Sequence, residues 1–185
     1  SLPNNFVGDD TALIINNHLV HSPSSILKLF GTGVFYDRGS SQANNYYKPL
    51  TSVTYSLVYA IFGKNPLAFH LLQMLLHISN AILIFLIFKL FFKNEIALLL
   101  SLIFLVHPIN VEAVVYIATM QDTLFLFFGL LALYLTTRNV DYFYVKSFLI
   151  GTVLLTLSIL SKESGVLFII IIPIFNFILK KRILS

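Results

Sequence analysis

The chain has 185 residues, 57% of them hydrophobic and 11% charged, with a net charge of +4. Soluble domains carry roughly 25% charged and 45–50% apolar residues, and a chain of this size cannot hide such an excess from water, so composition excludes a water-soluble globule. Without cysteine there is no disulfide framework, thiolate metal cluster or thiol nucleophile, and so small a net charge is not a nucleic-acid-binding surface.

Two regions follow one another. Residues 1–64 are polar and rich in Asn, Ser, Gly and Tyr, and are expected to form an extracytoplasmic loop with short helices; residues 65–185 are expected to form a transmembrane helix bundle. The chain starts at Ser1 rather than Met and shows no signal peptide, so it is expected to be a piece of a longer protein.

In chain order, the first feature is Phe6-Val7-Gly8-Asp9-Asp10. Adjacent carboxylates can act as a general base, one accepting a hydroxyl proton while the other orients it. Gly-Asp is also ordinary turn chemistry, and a solvated turn is the commoner outcome. In Tyr46-Tyr47-Lys48-Pro49-Leu50-Thr51 the tyrosines suit a membrane interface. Pro49 can open a helix running towards Phe62 along the membrane surface.

Five segments then approach the roughly 20 apolar residues of a membrane span: Leu67–Phe92, Glu95–Val106, a run after Pro108 that is most apolar over Thr123–Thr137, Ser147–Leu160, and Gly165–Leu179. The first carries His70, Gln73, His77 and Asn80 on one narrow face. Such a stripe either lines a wet cavity or hydrogen-bonds neighbouring helices. His70 and His77, two turns apart, are poorly placed to share one metal ion, and the sequence gives no metal site. After His107-Pro108-Ile109-Asn110-Val111-Glu112 the helix is expected to restart, placing Glu112, Tyr116 and Thr119 on one face before Gln121-Asp122. An interfacial surface helix is the alternative, although carboxylates beside lipid are costly and default to functional suspects.

Lys89, Lys93, Arg138, Lys146, Lys180, Lys181 and Arg182 fall at alternate ends of the segments, which should therefore be cytoplasmic. That places Ser1–Lys64, His107–Asp122 and Ser161–Ser164 together on the opposite side, where an active site should lie. Lys162, next to Glu163, breaks the positive-inside pattern. A cation there suits the phosphate of a lipid carrier; a snorkelling lysine or a local pair with Glu163 is the alternative.

These residues together resemble a known family. Val7-Gly8-Asp9-Asp10, Ile15-Asn16-Asn17, Tyr47-Lys48-Pro49-Leu50-Thr51, Gly63-Lys64-Asn65-Pro66, Phe69-His70-Leu71, Leu76-His77, Val106-His107-Pro108-Ile109, Glu112-Ala113-Val114, Asp122 and Leu160-Ser161-Lys162-Glu163 are similar, in order and spacing, to the transmembrane and tetratricopeptide-repeat O-mannosyltransferases and their bacterial relatives. The resemblance covers essentially the whole chain. It implies an all-α, polytopic GT-C fold and an inverting glycosyltransferase that moves a sugar, expected to be mannose, from a polyprenyl or dolichyl phosphate to a Ser or Thr hydroxyl of a protein, or to another acceptor. Asp9 and Asp10 inherit the catalytic role. Lys162 and Lys48 would meet the lipid phosphate, and His77, His107, Glu112 and Asp122 would shape the cavity. No cofactor is implied. Membrane lipid, donor and acceptor are the expected partners. Lys48 stands where arginine is common, and Gly8 and Met120-Gln121 also depart from many relatives.

A transporter or flippase, or a non-catalytic scaffold that binds the lipid carrier, would use similar residues. Abundant Ile, Asn, Lys and Phe hint at an AT-rich bacterial genome, and the outer loop has no glycosylation sequon. The expected location is a bacterial inner membrane with the site facing outward, or the endoplasmic reticulum facing its lumen.

Overall fold

A computed structural model describes residues 5–35, 46–138 and 144–184. Residues 36–45 of the expected loop and the side chain of Arg182 lie outside the described part. Among the described residues every regular element is a helix, as the composition requires of a polytopic bundle.

The loop opens with a single wide helical turn, Thr11–Ile15, followed by a 3₁₀ turn, Pro23–Ser25, and a short helix α1, Ile26–Leu29. Helix α2 covers Pro49–Phe62, with Pro49 in its first turn and Gly63 closing it at φ +60°. That left-handed conformation suits glycine. Helix α3, Pro66–Phe88, starts where the Asn65 side chain accepts a hydrogen bond from the Leu67 N–H at 3.1 Å and Pro66 pre-sets φ. Helix α4 runs over Asn94–Val106 and stops at His107-Pro108. A 3₁₀ turn Pro108–Asn110, a short helix α5 (Val111–Val115) and a second 3₁₀ turn Ile117–Thr119 lead into α6, Met120–Arg138. Helix α7 covers Tyr144–Ser161, a turn follows at Glu163–Val166, and α8 covers Leu167–Leu184.

Among the described residues three helices are long and apolar enough to cross a membrane, those of α3, α6 and α8, and α4 with its continuation, bent by 47°, is a fourth if the bent pair counts as one span. At 1.5 Å per residue the 18 residues of α7 reach about 27 Å, a little less than the ~30 Å hydrocarbon layer. Helix α6 is central and packs against α3, α7 and α8. Much of the apolar surface of α4, α7 and α8 points outward, including Leu99, Ile103, Phe148, Val153, Ile170 and Phe177. In water such a surface would be untenable, and in lipid it is the expected exterior.

Two buried clusters hold the chain together. One, in the bundle, joins Leu83, Ile87, Leu130, Leu133, Phe168 and Ile172. The other, at the loop end, joins Leu13, Ile14 and Val20 to Tyr55 of α2, Phe69 of α3, and Ile117 and Met120 at the entry to α6. The His21 ring reinforces this by stacking on Tyr59 at 4.2 Å and bonding the Ile14 carbonyl at 2.7 Å. The polar loop is thus cemented onto the bundle by apolar burial, about 25 cal/mol per Å².

The polar stripe of α3 serves backbone. Gln73 Nε2 donates to the carbonyls of Ala113 (2.6 Å) and Tyr116 (2.8 Å), His77 Nε2 meets the Leu105 carbonyl (3.1 Å), and Asn80 Nδ2 donates to the Thr123 carbonyl (3.0 Å). Leu105, Ala113 and Tyr116 lie where helices end, and carbonyls there, which are short of helical donors, take side-chain donors when water is absent. Of the two expectations for this stripe, helix–helix bonding is the one these contacts carry.

Candidate active site

Asp9 and Asp10 sit in a turn at the loop end of the bundle, and the two carboxylates have different surroundings. Gly8 adopts φ +53°, which makes the turn possible. Asp10 is fully buried. Its Oδ1 accepts the Ala118 N–H at 2.7 Å and its Oδ2 accepts the Val7 N–H at 3.1 Å. Burial pushes its pKa above the ordinary 3.8, outweighing the two N–H bonds and the nearby His70, which pull it down. Asp9 is half-buried, and its N–H donates to the Tyr116 hydroxyl at 2.7 Å. The sequence pair is therefore a turn, as its commoner reading held, but one whose second carboxylate is docked rather than solvated.

Helix α2 supplies the floor. Tyr55, buried, donates its hydroxyl to the Ile117 carbonyl at 2.8 Å and lies within electrostatic reach of Asp10, Tyr116 and Asp122. Thr51 donates to the Ser161 carbonyl at 3.1 Å, joining α2 to the turn that carries Lys162. Lys162 Nζ pairs with Asp122 Oδ1, so its ion pair spans two helix ends and is not the local one with Glu163 that stood as an alternative to phosphate binding. Lys48 is 7% exposed. Burial lowers its pKa from 10.5, against the opposing pull of Glu163 and Asp122, while Lys162 acts in the same direction as burial. Lys48, Lys162, Asp122 and Glu163 thus form one charged group at the same end as Asp9.

Three other expected residues are engaged elsewhere. His77 faces α4, bonded to Leu105 and tilted against Phe104 at 5.1 Å. His107 is exposed, and its Nδ1 accepts the Ile109 N–H at 3.2 Å, capping the turn after α4. Glu112 is exposed on α5. Nor do Glu112, Tyr116 and Thr119 share one helical face, because the chain is extended at Tyr116 (φ −99°, ψ 117°). Among the described residues no three His, Asp or Glu side chains gather as a metal site. Tyr55 was not foreseen as a site residue. Its spacing with Thr51, Ser52 and Ser56, all buried, was the available signal of an inward polar face.

Fold and site together define a polytopic all-α membrane protein with a docked acidic turn and a lysine–carboxylate group at one end of its bundle. Residues 48–185 match the family model described as dolichyl-phosphate-mannose-protein mannosyltransferase, and the chain belongs to that family. It is 34% identical over 136 residues to the protein O-mannosyl-transferase TMTC3 of Homo sapiens, covering 72% of this chain and 15% of the relative. It is 31% identical over 172 residues to the protein O-mannosyl-transferase F38B6.6 of Caenorhabditis elegans, covering 90% of this chain and 24% of the relative. With TMTC1 of Homo sapiens it shares 30% identity over 184 residues, 90% of this chain and 20% of that protein. The chain therefore spans less than a quarter of these relatives' length. No solved structure matches it.

Proposed function

We propose that this chain carries the acidic loop and lipid-phosphate contacts of a membrane glycosyltransferase, which moves mannose from a dolichyl or polyprenyl phosphate to a protein Ser or Thr hydroxyl. The site faces the extracytoplasmic side, opposite Lys89, Lys93, Arg138, Lys146, Lys180 and Lys181. Asp9 is the base. It takes the hydroxyl proton as the oxygen attacks the anomeric carbon, and the bond from that carbon to the phosphate oxygen breaks with inversion. Lys162 and Lys48 stabilise the negative charge gathering on the departing lipid phosphate. Asp10 holds the turn, and Asp122 sets Lys162. The observation that carries this division of labour is the contrast within the pair: both oxygens of Asp10 are consumed by backbone N–H groups, whereas Asp9 is half-exposed.

The test is transfer from labelled dolichyl- or polyprenyl-phosphate mannose to a Ser/Thr peptide by the full-length protein in membranes. Asp9→Asn should abolish transfer at parental expression. Silence of the parent across carrier-linked sugars would move the assignment to a transporter or a lipid-binding scaffold, whereas full activity of Asp9→Asn would keep the transfer and take the role of base from Asp9.

A further inference from the structure

The base assigned to Asp9 has to be aimed, and Asp9 stands on a turn that lies beyond the membrane helices. A turn joined to them only by apolar contacts would tolerate shifts of its backbone, because such contacts are non-directional. Two directional contacts to one short segment remove that freedom. Asp10 ties the turn to the Ala118 N–H. Two residues earlier the Tyr116 hydroxyl accepts the Asp9 N–H at 2.7 Å, across 107 residues of sequence.

Tyr116 is itself held. It lies at the extended break between α5 and the Ile117–Thr119 turn, where its carbonyl takes the Thr119 N–H at 3.1 Å and two side-chain donors besides. Gln73, 0% exposed in α3, donates one Nε2 to both the Tyr116 and the Ala113 carbonyls. Two acceptors on one nitrogen fix which way the amide faces. The Thr119 hydroxyl also donates to the Tyr116 carbonyl, at 2.6 Å. Gly8 completes the arrangement. A Cβ at Gly8 would stand 2.6 Å from the Tyr116 hydroxyl, so the phenol fills the space a side chain would need.

We infer that Tyr116 is a positioning residue for Asp9, set in place by Gln73, so that a rigid membrane helix aims the base through one phenol. The inference rests on Asp9 being the base. It predicts a particular kinetic signature: loosening Tyr116 misaligns proton removal from the acceptor while leaving the lysines and the lipid-phosphate contacts intact. Turnover should fall and donor binding should not. A misplacement near 1 Å costs on the order of 100-fold in rate.

The experiment uses the full-length protein in membranes with dolichyl- or polyprenyl-phosphate mannose and a Ser/Thr peptide. Turnover is expressed per donor-binding site, counted by saturation with the labelled donor, so that loss of folded protein is separated from loss of aim. Tyr116→Phe keeps the ring and removes the acceptor oxygen. It should lower kcat per site by about 10- to 100-fold, with donor KM within about twofold of the parent. Gly8→Ala, which strikes the same hydroxyl and also strains the turn at φ +53°, should give at least as large a split, and the double variant should be no worse than Gly8→Ala alone by more than about twofold, since the contact they share is already lost. Gln73→Leu should reproduce the split more weakly. Parental turnover in Tyr116→Phe while Asp9→Asn is inactive would overturn the inference and leave the base assignment standing. Donor sites lost in step with turnover would reduce Tyr116 to a folding residue. Full activity in Asp9→Asn would remove the base itself, and the inference with it.

Discussion

Gly165→Ala should weaken donor use without touching a charged residue. Gly165 follows Lys162 in the turn between α7 and α8, where its N–H bonds the Lys162 carbonyl at 2.9 Å and the Lys162 N–H bonds Ser158 at 3.1 Å. A Cβ at Gly165 would stand 2.6 Å from the Ser158 carbonyl carbon and 2.7 Å from the Ile159 nitrogen and the Ser158 oxygen. Ordinary contact begins at roughly 3.4 Å, and these atoms are backbone inside a helix, so the turn must move by close to an ångström rather than a side chain rotating away. Overpacking of this kind costs about 1–3 kcal/mol, and a shift of that size at Lys162 would reduce stabilisation of the departing phosphate by up to about 100-fold. The control is Gly151→Ala, in the middle of α7, where the Cβ would meet the Thr136 methyl at 2.7 Å. That contact joins α7 to α6 about three helical turns from Lys162, so any strain there falls away from the charged group. The assay is mannosyl transfer by the full-length protein in membranes over a range of donor concentrations, with thermal inactivation measured alongside. Gly165→Ala should raise donor KM or lower kcat/KM by at least tenfold and inactivate at lower temperature, while Gly151→Ala stays within about threefold. Equal behaviour of the two variants would refute the close approach of turn and helix, and with it the placement of Lys162.

Lys48 carries a pH prediction. Its pKa lies below the usual 10.5 because it is buried, so the ammonium proposed to meet the donor phosphate should be lost as pH rises through that lowered value, and donor KM should climb earlier than an ordinary lysine allows. Lys48→Arg, charged throughout, should move that alkaline limb upward; an unmoved limb would assign it to another group. Asp10→Ala leaves the Val7 and Ala118 N–H groups without their acceptor, a cost of about 1–3 kcal/mol after the relief of burying a charge. A reporter Val20→Cys, buried in the loop cluster, should then react with maleimide about tenfold faster. Because burial raises the Asp10 pKa above 3.8, its contribution to loop docking is fully present below 3.8 and lost as pH rises through the folded value. Mild acid should therefore slow the labelling, after correction for thiol ionisation, and this pH dependence should vanish in Asp10→Ala.

Local punctuation made the helices legible. Pro49, Gly63, Asn65 and Pro66 mark the ends of α2 and the start of α3 because their chemistry acts within a few residues. The acidic turn was equally visible, since Gly8 needs only its own backbone to bend. What stayed hidden depends on partners far along the chain. The docking of Asp10 requires an N–H 108 residues away, and nothing near Asp10 distinguishes it from Asp9. The pairing of Lys162 with Asp122 rather than the adjacent Glu163 depends on how α6 meets α7. Tyr116 reads as one position on a continuing helix until the Gln73 amide is seen holding its carbonyl at a break.

That last case exposes why polar residues in membrane helices are ambiguous in sequence. Interrupting a helix inside lipid frees carbonyls that water cannot reach, so each interruption calls for a donor on a neighbouring helix. The breaks at His107-Pro108 and at Tyr116 are answered by His77 and Gln73, two positions of one stripe on α3. The same interruptions let the chain carry Tyr116 and Ala118 out to Asp9 and Asp10, which an unbroken helix could not do. A polar side chain on α3 therefore belongs to the site's support when it faces such a carbonyl and to its chemistry only when it does not. By that criterion Gln73 and His77 are braces.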